Sequence, residues 1–354
     1  MNRSRETLHM ARRRVASGGV VAVVVAVAWL ASVPVAAQAQ GLEVEPAAPA
    51  ETWTTQYTPD GQPDLQGFWT NTTYTPLQRP DDVTKAFYTP EEVLENAQRR
   101  AAVESAQTEP GTIADVHYDF TQFGLDRSQG PMGFNLRTSL IVDPPDGRIP
   151  PMTAEGQRRA AERAEARKQR GAPTDAVQNQ SPRARCIIMD RAGPPMMGNL
   201  YNNNYQIVQA PGYVMILIEM IHDVRMIPLD GRPHPPQNVR QWMGSSRGRW
   251  EGETLVIETA NFNGKSPFRG SSENMRLTER FTRVDEDTML YEFTVDDPAT
   301  WSAPWSAEVP WEKTVGPLFE HACHEGNRGM YNMLAGARAE EKRAAEAAEQ
   351  QVLN

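Results

Sequence analysis

The sequence predicts a mainly β protein: an antiparallel curled sheet or lipocalin-like barrel with a few peripheral helices. Apolar segments of strand length recur from about residue 200 to residue 325, and short turn sequences join them. No helical pattern separates these segments, whereas a parallel sheet would need a crossover helix between its strands. The strands are therefore expected to pair antiparallel and to curl around one core.

Three helices are predicted outside the strand-rich region. Thr89 caps a helix over residues 90–107, because Pro90 suits the first helical position and two acids follow near the positive end of the dipole. Residues 153–170 have almost no large apolar side chain, so a solvated surface helix is expected there. Residues 337–354, rich in Ala, Glu and Arg, predict a charged helical tail.

Strands are predicted where apolar stretches flank turn residues. The predicted elements are hairpins over residues 205–221, 249–258 and 277–295, further strands at 307–314 and 318–323, and a short strand at 66–69. Both strands of the first hairpin are largely apolar. The third hairpin alternates apolar and polar residues, so one of its faces is expected to be exposed to solvent.

Residues 1–39 have the three parts of a secretory signal. Arginines precede an apolar run, and Ala37-Gln38-Ala39 fits a small-x-small cleavage site. A membrane anchor is the alternative, but the apolar run is short for a span of about 20 residues. We therefore expect a periplasmic or secreted protein with a signal peptide (1–39), a disordered leader (40–52), one β-rich domain (53–336) and the tail.

The net charge argues against a nucleic acid as the partner. The chain has 36 basic and 45 acidic residues, a net charge of −9. Loss of residues 1–39 removes five arginines and one glutamate, which leaves a net charge of −13. So acidic a surface repels phosphate backbones, which argues against nucleic-acid binding. No segment after the signal is long and apolar enough to predict a membrane span.

The chain has two cysteines, Cys186 and Cys323. An oxidising compartment favours a disulfide between them. The alternative is a pair of buried free thiols. A catalytic cysteine is not expected, because neither residue lies in a motif that would lower its pKa.

Four short sequence motifs carry a resemblance to one group of proteins. They are DPPDGR at 143–148, IPLDGRPH at 227–234, SRGRWEG at 246–252 and ACHEGN at 322–327. Between about residue 63 and residue 341 the chain resembles a family of exported proteins of soil bacteria for which we know no established activity. The resemblance implies export and a single domain, and it implies no reaction.

The common catalytic signatures are missing. The sequence contains no dinucleotide-binding glycine motif, no phosphate loop and no His-Glu-x-x-His motif. Residues 244–248 fit Gly-x-Ser-x-Gly, but a nucleophile elbow needs a helix after its serine. A strand-like run follows here instead, so a serine hydrolase is not expected.

Acid–base residues follow the apolar run at 213–218. If the strand continues, its period of two places Glu219, Asp223 and Arg225 on one face and His222 on the other. A carboxylate inside such a strand must be paired or have a raised pKa, which suits a general acid or base. The alternative is a buried structural Glu–Arg pair.

Five residues are candidate ligand-binding groups. They are Arg137 next to an aromatic-rich stretch, Tyr201 and Asn203 in a polar cluster, His234 in a proline-rich loop, and Arg249 at the start of a predicted strand. Each of them also has an ordinary structural role open to it, in a turn, a cap or a surface contact.

No metal and no organic cofactor is predicted. His321 and His324 offer suitable ligand atoms, but on a strand they would point to opposite faces. The leading hypothesis is an exported hydratase, dehydratase, isomerase or lyase that uses carboxylate and histidine acid–base chemistry on a small, partly apolar molecule in a barrel pocket. Alternatives are a lipocalin-like carrier without turnover and an envelope interaction protein with its helices as partner surfaces.

Overall fold

The computed structural model describes residues 53–104, 135–189, 192–198 and 201–353. The predicted signal peptide and leader lie outside these residues, as does the predicted end of the first helix at 105–107. Among the described helices, none combines the length and the apolar character needed to cross a lipid bilayer.

The protein is mainly β, as predicted, and ten strands form one antiparallel sheet. The strands are β1 (Gly67–Thr70), β2 (Ile141–Asp143), β3 (Asn204–Ala210), β4 (Tyr213–Ile218), β5 (Val224–Pro228), β6 (Ser245–Glu251), β7 (Thr254–Ala260), β8 (Arg276–Arg283), β9 (Thr288–Asp296) and β10 (Trp305–Lys313). The helices are α1 (Pro90–Glu104), α2 (Ala154–Gln169) and α3 (Arg328–Leu353).

The sheet curls into a nearly closed barrel. Its strand order is β5-β4-β3-β1-β10-β9-β8-β7-β6, and β2 pairs with the first part of β10. The two outer strands, β5 and β6, meet at a seam. A side-chain carbon added at Gly248 of β6 would lie 2.9 Å from Ile227 of β5. Only glycine leaves room for the seam to close this tightly.

The three predicted hairpins are confirmed, and their turns follow from local sequence. Pro211 and Gly212 join β3 to β4, and Gly212 has a φ of 78°. Proline followed by a positive-φ glycine suits a tight turn. Gly252 begins the two-residue turn between β6 and β7 with a φ of 61°.

Three boundary predictions need correction. Residues 318–323 do not form a strand: the chain leaves the sheet after β10, whose two edges are already paired with β9 and with β1 and β2. The strand ending at Ile218 does not continue through Glu219. Helix α3 begins at Arg328, nine residues before the predicted start of the tail.

The two predicted helix starts are confirmed. The Thr89 hydroxyl accepts from the Glu92 backbone amide at 3.3 Å, and the Thr153 hydroxyl accepts from Gly156 at 3.0 Å. These hydroxyls satisfy amides that a helix leaves unpaired in its first turn. Helix α2 buries only Gly156, which agrees with the predicted solvated helix.

Aromatic side chains fill the interior of the barrel. The rings of Tyr205 and Trp311 stack with centroids 4.4 Å apart, and those of Phe281 and Tyr291 lie 4.8 Å apart. All four are fully buried, together with Trp69. The barrel therefore has a packed core, as small barrels do, rather than an open ligand chamber.

One end of the barrel is closed by a short segment. We call this end the upper mouth; Asn204, Ile218, Val224 and Ser245 lie there, at the start of β3, the end of β4 and the starts of β5 and β6. We call residues 192–197, which are buried, the plug. Its Met196 amide donates to the Tyr291 hydroxyl at 3.0 Å, deep in the barrel.

The predicted disulfide between Cys186 and Cys323 is confirmed. It ties the chain ahead of the plug to residues 314–327, which we call the C-terminal arm and which lead from β10 to α3. Asn327 strengthens the tie by donating from its side-chain amide to the Ala184 carbonyl at 2.8 Å. A covalent bond thus joins the segment that precedes the plug to the segment that follows β10.

Candidate functional site

The chain makes a strained turn at the upper mouth. A 3-10 turn over Met220–His222 follows β4, and Ile221 and His222 have φ values of 65° and 48°. The prediction of a continuing strand is therefore wrong, and Glu219, Asp223 and Arg225 do not share one strand face. A positive φ is rare for a β-branched residue such as Ile221, and backbone strain of this kind concentrates at functional sites.

Glu219 is a buried carboxyl at this turn, with only 7% of its surface exposed. The Asn204 amide donates to its Oε2 at 3.3 Å, and the Glu219 amide donates back to the Asn204 carbonyl at 3.0 Å. Burial raises the pKa of Glu219, and its contacts with Asn204 oppose that rise only in part. The carboxyl therefore keeps its proton to a higher pH than an ordinary glutamate.

Arg225 is not part of this acid–base group. It points into the barrel, where its guanidinium makes a two-pronged ion pair with Glu279 of β8 at 2.6 and 2.9 Å. The side chains of Arg225 and Glu279 are 2% and 0% exposed. The expected alternative, a structural Glu–Arg pair, is therefore found, but with Glu279 in place of Glu219.

A network of hydroxyls completes the buried ion pair. Tyr291 donates to Glu279 Oε1 at 2.8 Å, and Ser246 and Thr259 accept from Arg225 at 3.1 and 3.3 Å. Ser246 belongs to the Gly-x-Ser-x-Gly match and lies within β6, so no nucleophile elbow is formed. These contacts give partners to both carboxylate oxygens of Glu279 and to the two terminal nitrogens of Arg225, whereas the buried Arg225 Nε has no hydrogen-bond partner among the described residues.

Two histidines from distant parts of the chain meet at the upper mouth. The His222 Nδ1 lies 3.3 Å from the carbonyl oxygen of His321 in the C-terminal arm. Burial and the neighbouring His222 lower the pKa of His321, whose buried Nδ1 has no hydrogen-bond partner among the described residues. Asp223 is half-buried; burial raises its pKa, and His222 partly opposes this.

Two predicted ligand-binding residues lie at the same mouth. The ring of Tyr201 is 6.3 Å from that of His321. Asn203 is buried, and its side-chain amide donates to the Thr72 hydroxyl at 3.2 Å. The structure therefore brings Tyr201, Asn203, Glu219, His222 and Asp223 to one end of the barrel.

The other three predicted ligand-binding residues lie elsewhere. Arg137 pairs with Glu308 of β10 at 2.8 Å, and Arg249 pairs with Glu258 at 2.6 Å on the outer face of β6 and β7. Their charges are thus already partnered outside the barrel. His234 is half-buried beside β6, and burial, followed by the charge of Arg247, lowers its pKa.

Sequence reasoning missed two residues at the centre of these contacts. Glu279 could have been found, because it alternates with Leu277 and Phe281 in β8 and so shares their inward face. The sequence suggests His321 only as a possible metal ligand on a strand. Its contact with His222 spans 99 residues, and no local pattern indicates it.

Two observations on the described residues bear on the binding of a metal or a small molecule. Within the described ranges, no three His, Cys, Asp or Glu side chains are grouped so that they could hold a metal ion. A cavity of about 20 Å³ lies beside the plug, with Met189, Trp242 and Phe262 among its lining residues. That volume is enough for about one water molecule.

No protein-family model, curated protein or solved structure matches the chain. The upper mouth brings together four titratable groups of the described residues. Those groups are a buried carboxyl, a half-buried carboxyl and two histidines, and the surroundings shift three of their pKa values.

We expect the free energy of unfolding of Glu219→Gln to rise relative to that of the wild type as the pH increases above 4.5, the ordinary pKa of this carboxyl. Because the folded-state pKa is raised, the stability linked to the protonated carboxyl is present at acid pH. It is lost as the pH rises through the folded-state pKa. Glutamine does not titrate, so the variant avoids this loss. Urea unfolding at several pH values between 4.5 and 7.5 measures the difference.

Glu251→Gln is a control whose stability relative to the wild type should change with pH in the opposite direction. Hydrogen bonds from Arg280 and Arg249 lower its pKa, so its contribution is present above the ordinary pKa and is lost as the pH falls. The difference between Glu251→Gln and the wild type should therefore move in the other direction with pH, and it should do so below the ordinary pKa of 4.5, so unfolding of this control is also measured between about pH 3 and pH 4.5. A Glu219→Gln difference that stays flat or shrinks as the pH rises would contradict a raised pKa.

Proposed function

We propose that the protein is an enzyme that moves protons to and from a small, partly apolar molecule at the upper mouth. Glu219 is its carboxyl acid–base group, and His321 is its histidine. The observation that carries the proposal is a buried carboxyl with a raised pKa at the same barrel end as a histidine with a lowered pKa.

The two pKa shifts suit proton transfer. An ordinary glutamate and an ordinary histidine differ by about two pKa units. Burial raises the pKa of Glu219 and lowers the pKa of His321. The two groups therefore exchange protons at pH values that are closer together. Acid–base catalysis is most effective when the pKa of the catalytic group lies near the working pH. Pairs of titratable groups that are tuned by their surroundings are typical of such sites.

Backbone contacts hold the two groups in place. The His222 amide donates to the Glu219 carbonyl at 3.1 Å, and the His222 ring contacts the His321 carbonyl. The disulfide at Cys323 fixes the arm two residues after His321. A site that is held by a strained turn and a covalent bond loses little entropy when a substrate binds.

The chemistry needs no electron transfer. A carboxyl that gives a proton and an imidazole that takes one are sufficient for hydration, dehydration, double-bond migration or elimination. The carrier hypothesis has less support, because aromatic side chains fill the barrel interior where a lipocalin-like ligand would lie.

We also propose that the protein works in the periplasm or outside the cell. The disulfide between Cys186 and Cys323 supports this, because such bonds persist in oxidising compartments. The three-part signal at residues 1–39 supports it as well. It stays a prediction that the chain belongs to the exported family whose members it resembles in the DPPDGR and SRGRWEG motifs.

Deuterium exchange tests the proposed chemistry. We expect the protein to promote incorporation of deuterium from D₂O into members of a panel of small ketones and β-hydroxy acids, followed by proton NMR. Glu219→Gln and His321→Gln should each lower the exchange rate by about 100-fold or more, because acid–base groups contribute about 10²–10⁴ to a rate.

Matched control variants separate chemistry from folding. Glu292→Gln removes another half-buried carboxyl with a raised pKa, on β9. His234→Gln removes another half-buried histidine with a lowered pKa. Both controls should keep the wild-type rate. If no panel member exchanges in a manner that depends on Glu219, or if the controls lose as much activity, the proposal is wrong.

A further inference from the structure

The middle of the C-terminal arm is held by few contacts. The arm is anchored near its start, where Gly316 packs against the ring of Phe68 in β1, and again at Cys323, which forms the disulfide. Between these anchors lie residues 317–322, which we call the strap. Four of its six residues are exposed, and Phe319 has 75% of its surface in solvent.

Among the described residues, a single hydrogen bond joins the strap to another segment. The His222 Nδ1 lies 3.3 Å from the His321 carbonyl oxygen. The Tyr201 ring is a further neighbour, 6.3 Å from the His321 ring. A segment with so few contacts opens at a lower free energy than the barrel core unfolds. Because both of its ends are anchored, the opening moves only these six residues.

The strap borders the proposed site. Its partner His222 lies in the turn that follows Glu219, whose surface is 7% exposed. Aromatic side chains fill the barrel interior, so a substrate has to reach this carboxyl from the upper mouth. The strap lies at that entrance, against the turn. Its position therefore affects how open the entrance is.

A proton on the His321 ring does not suit the closed strap. The ring is half-buried, and its buried Nδ1 has no hydrogen-bond partner among the described residues. A neutral imidazole has one nitrogen without a hydrogen, whereas a protonated imidazole has a hydrogen on both nitrogens. Protonation therefore places a buried N–H group where it has no acceptor, which is unfavourable. When the strap opens, water satisfies this group.

Two titratable groups face His321, and a third lies beside them. His222 faces it from the turn and Tyr201 from the segment ahead of β3, while Glu320 in the strap is exposed. Burial, followed by the charge of His222, lowers the pKa of His321. The closed strap is therefore favoured above pH 6.5, the ordinary pKa of this ring, and less so as the pH falls. Burial raises the pKa of Asp223, so the carboxylate that offsets a charged His222 is neutralised at a higher pH than usual.

We propose that the strap is a lid at the upper mouth, which is closed while His321 is neutral and opens when this histidine takes up a proton. The lid admits a substrate in mildly acid surroundings and shields Glu219 at neutral pH. Its effect on a reaction rests on the function proposed above, whereas its movement does not. Because the strap is anchored at Gly316 and Cys323, it moves without breaking the disulfide or opening the barrel.

Cleavage by chymotrypsin after Phe319, in the oxidised full chain, tests the lid. A protease needs an extended segment, and a strap anchored at both ends provides one only when it is open. Each rate is divided by that of a synthetic peptide of residues 314–322, which removes the pH dependence of the protease. The wild-type ratio should rise about three- to tenfold from pH 7.5 to pH 5.5, because one proton per opening limits the rise to about tenfold over this range.

Three variants identify the group that responds to pH. His321→Gln takes up no proton, so its ratio should differ by less than about twofold between the two pH values. His222→Ala loses the hydrogen bond to the strap, so its ratio should be about fivefold above that of the wild type already at pH 7.5. His234→Gln is the matched control, because it removes another half-buried histidine with a lowered pKa. It should keep the wild-type response.

The lid is overturned if the wild-type ratio does not change with pH, or if His321→Gln keeps the wild-type response. It is also overturned if cuts within the barrel strands appear together with the cut after Phe319, because acid then unfolds the whole domain. None of these results depends on turnover. A lid that responds as expected stands even if no compound exchanges deuterium through Glu219, and a failed lid leaves the deuterium-exchange test of the proposed function as it is.

Discussion

Replacing Glu279 with alanine is expected to destabilise the fold by about 3–5 kcal/mol. Glu279 supplies both oxygens of the ion pair with Arg225, and it accepts a hydrogen bond from Tyr291. Its removal leaves a guanidinium in the barrel core with hydroxyls as its remaining partners. An unpaired buried charge costs far more than the pair itself contributes. Urea unfolding followed by tryptophan fluorescence would measure the loss.

An exposed ion pair gives the comparison. Glu258→Ala removes the partner of Arg249 on the outer face of the barrel, where both side chains are about half exposed. Pairs in water contribute about 0.2–1 kcal/mol, so this variant should stay close to the wild type. Equal losses in Glu279→Ala and Glu258→Ala would contradict the burial that we describe.

A double substitution separates the charge from the packing. Changing Arg225 and Glu279 together to methionine removes both charges and keeps apolar volume in the core. Buried ion pairs can often be replaced in this way at little cost, or with a gain in stability. We therefore expect the double variant to recover most of the stability that Glu279→Ala loses. If it does not, the surrounding hydroxyls carry more of the stability than the ion pair.

Loss of the disulfide should have the second large effect. Cys186 and Cys323 are 137 residues apart, so the bond closes a long loop. In the chain-entropy model, a loop of this length stabilises the protein by about 5 kcal/mol, because the bond restricts the unfolded chain. We expect the Cys186→Ser, Cys323→Ser double variant to unfold at a clearly lower urea concentration than the oxidised wild type.

Reduction provides an internal control for this prediction. Dithiothreitol should move the wild-type unfolding curve onto that of the double serine variant, and it should leave the variant unchanged. The C2 proton of His321 should also shift in NMR spectra, because the bond anchors the arm two residues after this histidine. A wild-type curve that does not respond to the reductant would contradict the prediction.

Period-two patterns predicted most of the sheet correctly. Residues 277–295 alternate apolar and polar side chains, and they form β8 and β9 with a tight turn between them. The short strand predicted at 66–69 forms β1, and the disulfide that the sequence favoured over two free thiols is present. These features depend on local chemistry, or on a single pair of cysteines for which no other partner exists.

The sequence was less informative at the candidate site, for two physical reasons. Ile221 takes a left-handed conformation that isoleucine rarely adopts, so nothing in the pattern indicated that the strand would end at Ile218. The partner of Arg225 is set by the register of strands that are 54 residues apart. Such a partner becomes identifiable only when the order of the strands is known.

The prediction of a strand at residues 318–323 was wrong for a related reason. They include the apolar residues Leu318, Phe319, Ala322 and Cys323, but a strand also needs an edge to pair with. Both edges of β10 are occupied, by β9 on one side and by β1 and β2 on the other. The segment instead crosses to the upper mouth and places His321 there. Competition for sheet edges is decided by the whole topology and not by the segment itself.

The position of β1 has a consequence for biosynthesis. β1 pairs with β3 on one side and with β10 on the other, and the register joins Trp69 to Lys313. As the ribosome makes the chain from its N-terminus, β1 cannot pair with β10, the last strand, until about residue 313 has been made, and contacts between such distant residues form slowly. The barrel is therefore incomplete until nearly the whole chain has been made. If the chain is exported as we propose, this strand order favours its passage through a translocation pore before the barrel closes.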